Sequence, residues 1–259
     1  MGIHPDAIAL CLHRTLENET NQLPMKGKPM PVGFRILKRE RKVGSEVVER
    51  FSRLPVANVS DSMSRITAGG ARLRPMHGGG GIAGPALTVK TRPGDNLMVH
   101  KAIALAEAGD VIVVDAGGDL TNAIIGEMML MQMAKRGVAG LIINGAIRDA
   151  AHIRGQKLPV FAAGVTHRGP YKNGPGEINV PIAIDGMVIE PGDLIIGDDD
   201  GLLCVPFDQV DAVFKGATAK FEAEQRQIAN IQAGARHGPI SRRSLRTKRP
   251  RSSRDRRFS

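Results

Sequence analysis

Tryptophan is absent from this 259-residue chain, tyrosine occurs once and cysteine twice. With so few aromatics, a core has to be built from aliphatic side chains packed closely across tight turns, and 31 glycines permit such turns. Cys11 and Cys204 are too few for a disulfide framework or a cysteine-based zinc site. No apolar run approaches the roughly 20 residues that span a bilayer. The stretch Ala7 to Leu12 is short and is broken by His13 and Arg14, which excludes the apolar centre of a secretory signal. These absences lead to the expectation of a cytoplasmic globular protein, and 42% hydrophobic content suffices for a real core.

Acidic residues are nearly missing from one place. Between Arg236 and Ser259 there are nine arginines, one lysine and a single aspartate, so this segment carries +9 of the formal net charge of +10. The remainder is almost neutral. The segment has no hydrophobic period and reads as a disordered tail over 235–259. Such a tail suits non-specific phosphate contacts with nucleic acid, or a solvated extension without a ligand. Only Phe258 interleaves with its arginines, so base stacking has little to work with. At the other end, residues 1–31 read as an irregular extension containing Gly27, Pro29 and Pro31.

Between these ends, strands alternate with helices. A helical pattern runs from Ser45 to Leu54 and stops at Pro55, and a second short helix is expected from Ser60, with Ser60 or Asp61 as its N-cap. The segment Gly78 to Gly84 formally matches G-x-G-x-x-G. It leads into an apparent strand, Ala86 to Lys90, rather than a helix, which rejects a dinucleotide site. Asp95 should cap a helix over about Leu97 to Glu107. Strand Val111–Val114, a helix from about Asn122 to Lys135, strand Gly140–Ile143, a short helix after Arg148 and strand Val160–Ala162 follow. This alternation implies parallel β-α-β units. Beyond Gly164, short strands over Asn179–Ile184, Met187–Ile189, Leu194–Gly197 and Leu202–Val205 suggest a β-rich layer against the α/β unit. A long amphipathic helix from Asp208 to about Gln232 closes the fold.

The chemistry concentrates at two apparent turns, Gly126-Glu127-Met128-Met129 and Gly145-Ala146-Ile147-Arg148-Asp149. Open α/β sheets bind ligands at strand ends of this kind. Early in its helix, the Gly126, Met128 and Met129 segment offers backbone N–H groups to a carboxylate, and Arg148 adds a bidentate contact to the same anion. Asp149 is a hard oxygen ligand suited to Mg²⁺ or Mn²⁺. A surface ion pair of Arg148 with Asp149, and Glu127 as a helix-dipole partner, is the plainer alternative. Asp198-Asp199-Asp200-Gly201 reads as a turn. The His167–Lys172 and Gly174–Glu177 loop either frames a substrate or connects elements. His77, His100 and His152 lack metal-like spacing, and Met128, Met129, Met131 and Met133 look mostly like core filling.

These residues carry a resemblance to the RraA-like family, which includes class II 4-hydroxy-4-methyl-2-oxoglutarate/4-carboxy-4-hydroxy-2-oxoadipate aldolases. It rests on Leu54 to Asp61, Gly94-Asp95-Asn96, Val113 to Gly118, Arg136 to Gly140 and Gly145 to Asp149. It runs over about 32–234, which the resemblance makes one aldolase domain. The sharpest element is an acidic residue, a twenty-residue gap, then Arg-Asp; here Glu127 is followed by residues 128–147 and then Arg148-Asp149. Aldolases of the family have Asp at the first position, so Glu127 is longer by one methylene.

The resemblance implies a layered β/β/α swivelling-domain-like fold with β-α-β units and a long C-terminal helix. It also implies a Mg²⁺-dependent lyase that releases pyruvate from 4-hydroxy-2-oxo acids and decarboxylates oxaloacetate. Arg148 would bind the pyruvoyl carboxylate and stabilise the enolate, Asp149 would anchor the metal, and Glu127 would act as base through water. A further glutamate comes from the C-terminal helix of a neighbouring subunit, with Glu224 the best match and Glu222 second, and the family forms trimers and hexamers. Some relatives inhibit ribonuclease E, which makes a non-catalytic regulator the alternative. Others carry a demethylmenaquinone methyltransferase label, but no glycine-rich loop sits in the strand-to-helix setting that S-adenosylmethionine requires.

Overall fold

The computed structural model describes residues 31–66 and 69–234. The basic tail and the N-terminal extension, Cys11 included, lie outside the described residues.

Four parallel strands form the centre of the sheet: β2 (Ile82–Thr91), β3 (Val111–Asp115), β5 (Gly140–Ile147) and β6 (Val160–Val165). Their side chains alternate between two apolar faces. In β3, Val111 and Val113 enter one core while Ile112 and Val114 enter the other. This is the continuous apolar run expected of a parallel strand buried on both sides. The sheet order is β1-β6-β5-β3-β2-β10-β11, where β1 is Arg74–Pro75, β10 is Leu194–Asp198 and β11 is Gly201–Val205. Strands β10 and β11 form an antiparallel hairpin whose turn is Asp198 to Gly201, so that acidic run is turn chemistry, as expected.

Helices α3 (Leu97–Leu105), α4 (Glu127–Lys135) and α5 (Ala150–Arg154) cover one face of the central strands. The other face is packed by α1 (Ser45–Phe51), α2 (Val56–Ser62), the β10–β11 hairpin and a small ribbon of β8 (Ile182–Ile184) with β9 (Met187–Ile189). Val213 and Ala217 of the 23-residue helix α6 (Val210–Gln232) dock on this side, and Phe51 packs against Phe214 with ring centroids 5.4 Å apart and planes tilted by 59°. The result is the expected layered α/β architecture with a long C-terminal helix. Among the described residues, no helix is long and apolar enough to cross a membrane.

Four local expectations change. Helix α2 begins at Val56 with Pro55 at its N-cap, so Ser60 and Asp61 lie inside the helix rather than capping it. Proline pre-sets its own extended backbone, its carbonyl accepts the Asn58 and Val59 N–H groups, and the free N–H of Val56 is met by Asp198 Oδ2 at 3.0 Å, so the acceptor at this helix start comes from the β10–β11 turn. The span from Asn122 is not helical. Ala123–Ile125 forms strand β4, paired with the end of β5, and the helix waits until Glu127. Consecutive β-branched Ile124 and Ile125 favour that extended backbone. Gly145 to Ile147 belongs to β5 and is fully buried, so the second apparent turn is a strand. A register shift between Ile143 and Ala146 against β6 accommodates Gly145, whose missing side chain leaves room for Ala116. Finally, Met129 and Met133 fill the core, whereas Met128 and Met131 point to solvent.

One described segment outside the named elements also matters. Residues 33–37 lie along β7 (Gly176–Ile178), with Leu37 N–H donating to Ile178 O and Ile178 N–H to Arg35 O. Glu177 in β7 is buried and accepts from Arg35 Nε at 2.6 Å and from Gly33 N–H at 2.8 Å. The Arg35 guanidinium, by this hydrogen bond first, holds the Glu177 carboxyl below its ordinary value.

Candidate active site

The candidate site forms where β4 and β5 end side by side. Arg148 N–H donates to Ile125 O at 3.0 Å, fastening the residue after β5 to the last residue of β4. Asp149 then takes a left-handed backbone conformation, φ 59° and ψ 36°. Aspartate is among the few residues that tolerate it, and such outliers cluster at functional sites. The turn aims the Asp149 carboxylate back at helix α4, where Oδ2 accepts the Glu127 N–H at 2.9 Å. Asp149 makes no side-chain cap to its own helix α5. Its charge is spent on the positive end of the neighbouring helix.

Leu130 N–H is bonded to Gly126 O and closes the first turn of α4. The N–H groups of Met128 and Met129 therefore have no intrahelical acceptor. Gly126, extended at φ −145°, is the N-cap. A Cβ there would overlap Asp149 Oδ2 and approach Arg148 Nε to 3.0 Å. The side chains of Arg148 and Asp149 thus lie directly against the start of α4, and glycine is what allows them to. Arg148 Nε is 3.7 Å from Asp149 Oδ2, and both side chains are about half exposed.

Arg148 and Asp149 open onto a cavity of about 310 Å³ completed by Val165, Thr166 and His167. The loop after β6 that supplies this wall is clamped by the Gly94-Asp95-Asn96 motif. The fully buried Asp95 carboxylate accepts the N–H groups of Asn173 at 2.8 Å, Gly174 at 2.9 Å and Leu97 at 2.9 Å. The last of these puts the Asp95 carboxylate at the start of α3 as expected, but the N-cap position itself is Asn96, one residue later. Tyr171 N–H donates to Gly94 O, Asn96 N–H donates to Tyr171 O, and Ala123 N–H donates to Arg168 O. The loop is therefore a fixed wall and part of the site's frame. A larger cavity of about 430 Å³ lies between α1, β2, β10 and α6, with Phe51, Pro55 and Phe221 in its lining. It contains none of the Arg148 cluster, and its charged lining residues are Arg53 and Asp198.

Of the residues singled out by sequence, Gly126, Glu127, Met128, Met129, Arg148 and Asp149 come together at this junction. Glu224 does not join them within one chain. It lies on α6, where Asn58 Nδ2 donates to its Oε2 at 2.6 Å. Lys220, one turn earlier, bridges to Asp61. Glu222 on the same helix is exposed. One neighbour of the cluster was not singled out from the sequence. His152 Nδ1 lies 3.2 Å from Glu127 Oε1, joining α5 to α4. Its position three residues after Asp149 puts both on one side of a helical turn, which was the available signal.

A profile of the RraA-like family, described as Aldolase/RraA, matches residues 56–204. A Halalkalibacterium halodurans protein, provisionally named 4-hydroxy-4-methyl-2-oxoglutarate aldolase, is 39% identical over 192 residues, covering 73% of this chain and 91% of its own. The chain belongs to the RraA-like family. Solved RraA-like structures agree with the fold. An uncharacterized protein from Pseudomonas syringae pv. tomato superposes with a TM-score of 0.69 at 25% identity, over 75% of this chain and 96% of the other. Streptomyces coelicolor RraAS2, described as an unusual member of the RNase ES inhibitor RraA protein family, superposes with a TM-score of 0.67 at 25% identity, over 72% of this chain and 98% of the other. The matched span contains α2, β1 to β10, most of β11 and the whole Arg148 cluster, so the candidate site lies inside the region that defines the family.

Proposed function

We propose that this RraA-like protein is a divalent-metal-dependent lyase of the cytoplasm. It cleaves 4-hydroxy-2-oxo di- and tricarboxylic acids to pyruvate and a second keto acid, and decarboxylates oxaloacetate at the same site. The observation that carries this reading is the meeting of Arg148, Asp149 and the open end of α4 around Gly126. The aldolase name of the Halalkalibacterium halodurans relative supports it.

The donor set suits a hard cation that keeps most of its water. Asp149 is a half-exposed carboxylate, and among the described residues no three His, Cys, Asp or Glu side chains group as a metal cage. Mg²⁺ and Mn²⁺ bind through one or two carboxylates plus substrate oxygens, whereas zinc demands more protein ligands. Asp149 would hold the ion, and a bound divalent cation supplies Lewis-acid polarisation of the substrate's 2-keto oxygen.

The residues of the chain do the rest. Arg148 and the N–H groups of Met128 and Met129 bind the pyruvoyl carboxylate and fix the plane of the keto acid. Glu127, directly or through a water, takes the 4-hydroxyl proton. The C3–C4 bond breaks, its electron pair moves into the C2–C3 unit, and the leaving half departs as a keto acid. The enolate charge develops beside the Arg148 guanidinium, already in place before reaction. Protonation at C3 gives pyruvate. Oxaloacetate loses CO₂ from the same bond and passes through the same enolate, without needing a 4-hydroxyl base. A neighbouring copy would complete the site with Glu224 or Glu222 in a trimer or hexamer.

Pyruvate release from 4-carboxy-4-hydroxy-2-oxoadipate and from oxaloacetate, with Mg²⁺ or with EDTA, tests the reading. Turnover is expected only with the metal, and Arg148→Ala and Asp149→Asn should each lower kcat by about 100-fold or more. Asparagine keeps the tolerance for left-handed backbone, so the second variant removes charge without removing the turn. A folded wild-type oligomer that turns over neither substrate in Mg²⁺ overturns the lyase. The likeness to RraAS2 would then favour a regulator that acts by binding protein.

A further inference from the structure

We infer that His152 is a positioning residue that holds the Glu127 carboxylate for proton abstraction, through an imidazole whose tautomer is set by Gln156. The inference rests on the lyase reading and deepens it. Glu127 is the first residue of α4, half exposed, with three rotatable side-chain bonds. Its backbone N–H is taken by Asp149, which anchors the main chain but leaves the carboxylate to be placed by something else. His152 of α5 meets it: Nδ1 lies 3.2 Å from Oε1. On the far side of the ring, Gln156 Nε2 lies 3.0 Å from His152 Nε2. The Gln156 amide nitrogen faces the ring and donates, so in this arrangement Nε2 accepts. The proton of the neutral imidazole then sits on Nδ1 and faces Glu127. The direction of the chain is Gln156 to His152 to Glu127. It occupies Oε1 and, among the described residues, leaves Oε2 without a protein partner for the proton it is to receive. A side chain one methylene longer than aspartate swings through a wider arc, and the imidazole across α4 and α5 restricts that arc.

The two reactions of the proposed site separate this role from general structure. Aldol cleavage needs the 4-hydroxyl proton removed; oxaloacetate has none to remove. With the full-length protein in Mg²⁺, His152→Leu should lower kcat for cleavage of 4-carboxy-4-hydroxy-2-oxoadipate about tenfold or more relative to kcat for oxaloacetate decarboxylation, with KM for the aldol substrate held within about twofold. His152→Asn places an amide donor where Nδ1 stood and should recover most of the loss. In a Glu127→Asp background the shortened carboxylate no longer reaches the ring, so His152→Leu should add less than about twofold, and circular-dichroism melts of the same proteins check folding. Equal loss in both reactions, no loss in cleavage, or no recovery with asparagine overturns the inference while the lyase stands. A wild-type protein without cleavage activity overturns both.

Discussion

The space where a side chain would stand on Gly126 is filled by Asp149 Oδ2 and Arg148 Nε. Its backbone is extended, so glycine is required here for room and not for conformation. Gly126→Ala should therefore cost about 1–3 kcal/mol of stability by overpacking. It should also cost more activity than its stability loss accounts for, because the methyl group displaces both site side chains. Urea denaturation beside pyruvate-release kinetics checks this; a fully active alanine variant would show that Arg148 and Asp149 are not confined to the places they occupy. Asp149 makes the complementary case. Its left-handed turn was invisible in sequence, since Arg-Asp reads equally as a surface pair. What made the site legible was the spacing of Glu127 to Arg148-Asp149, together with the carboxylate-binding and metal-binding chemistry of those residue types. His152 stayed hidden because its partner lies 25 positions away on another helix.

Among elements, strands buried on both faces were the most legible, because Val111–Val114 and Leu141–Ile143 are unbroken apolar runs, the first bounded by Asp110 and Asp115 and the second by Gly140 and Asn144. Strand β4 was lost because three residues show no period, and pairing with β5 rather than local preference decides their state. Gly145 looked like a turn for a related reason: a bulge in a buried strand and a turn use the same residue. The β7 strap yields a pH prediction. Glu177 has its folded-state pKa lowered, chiefly by the Arg35 hydrogen bond. Its contribution is present above the carboxyl's ordinary value near 4.5 and is lost as pH falls through the lower folded value. Wild type should therefore lose stability below about pH 4.5 more steeply than Glu177→Gln, in melts taken from pH 6 to 3. Parallel curves would show that the Arg35–Glu177 pair contributes nothing to acid sensitivity.

Across the whole molecule, the central sheet separates two cores, and the Arg148 cluster sits on the side of α4 and α5, while Glu222 and Glu224 ride on α6, which docks on the other side. A site that needs both cannot be assembled within one chain by the contacts seen here, which gives the oligomer a direct test. Arg148→Ala and a Glu222→Gln/Glu224→Gln double variant, each inactive alone, should regain activity when co-expressed, and light scattering should show a trimer or hexamer. No recovery would dispose of the borrowed glutamate. The twenty positions between Glu127 and Arg148 acquire a different meaning from this architecture. They hold the remainder of α4 and all of β5, nine- and eight-residue elements joined by a tight turn. One residue added to the helix would rotate everything after it by about 100°; one added to the strand would exchange its inward and outward faces. The interval works as a gauge block whose length is set by helix pitch and strand pleat: a residue inserted within α4 or β5 should displace Arg148 and Asp149 from Glu127, whereas one inserted in a surface loop outside the interval should not.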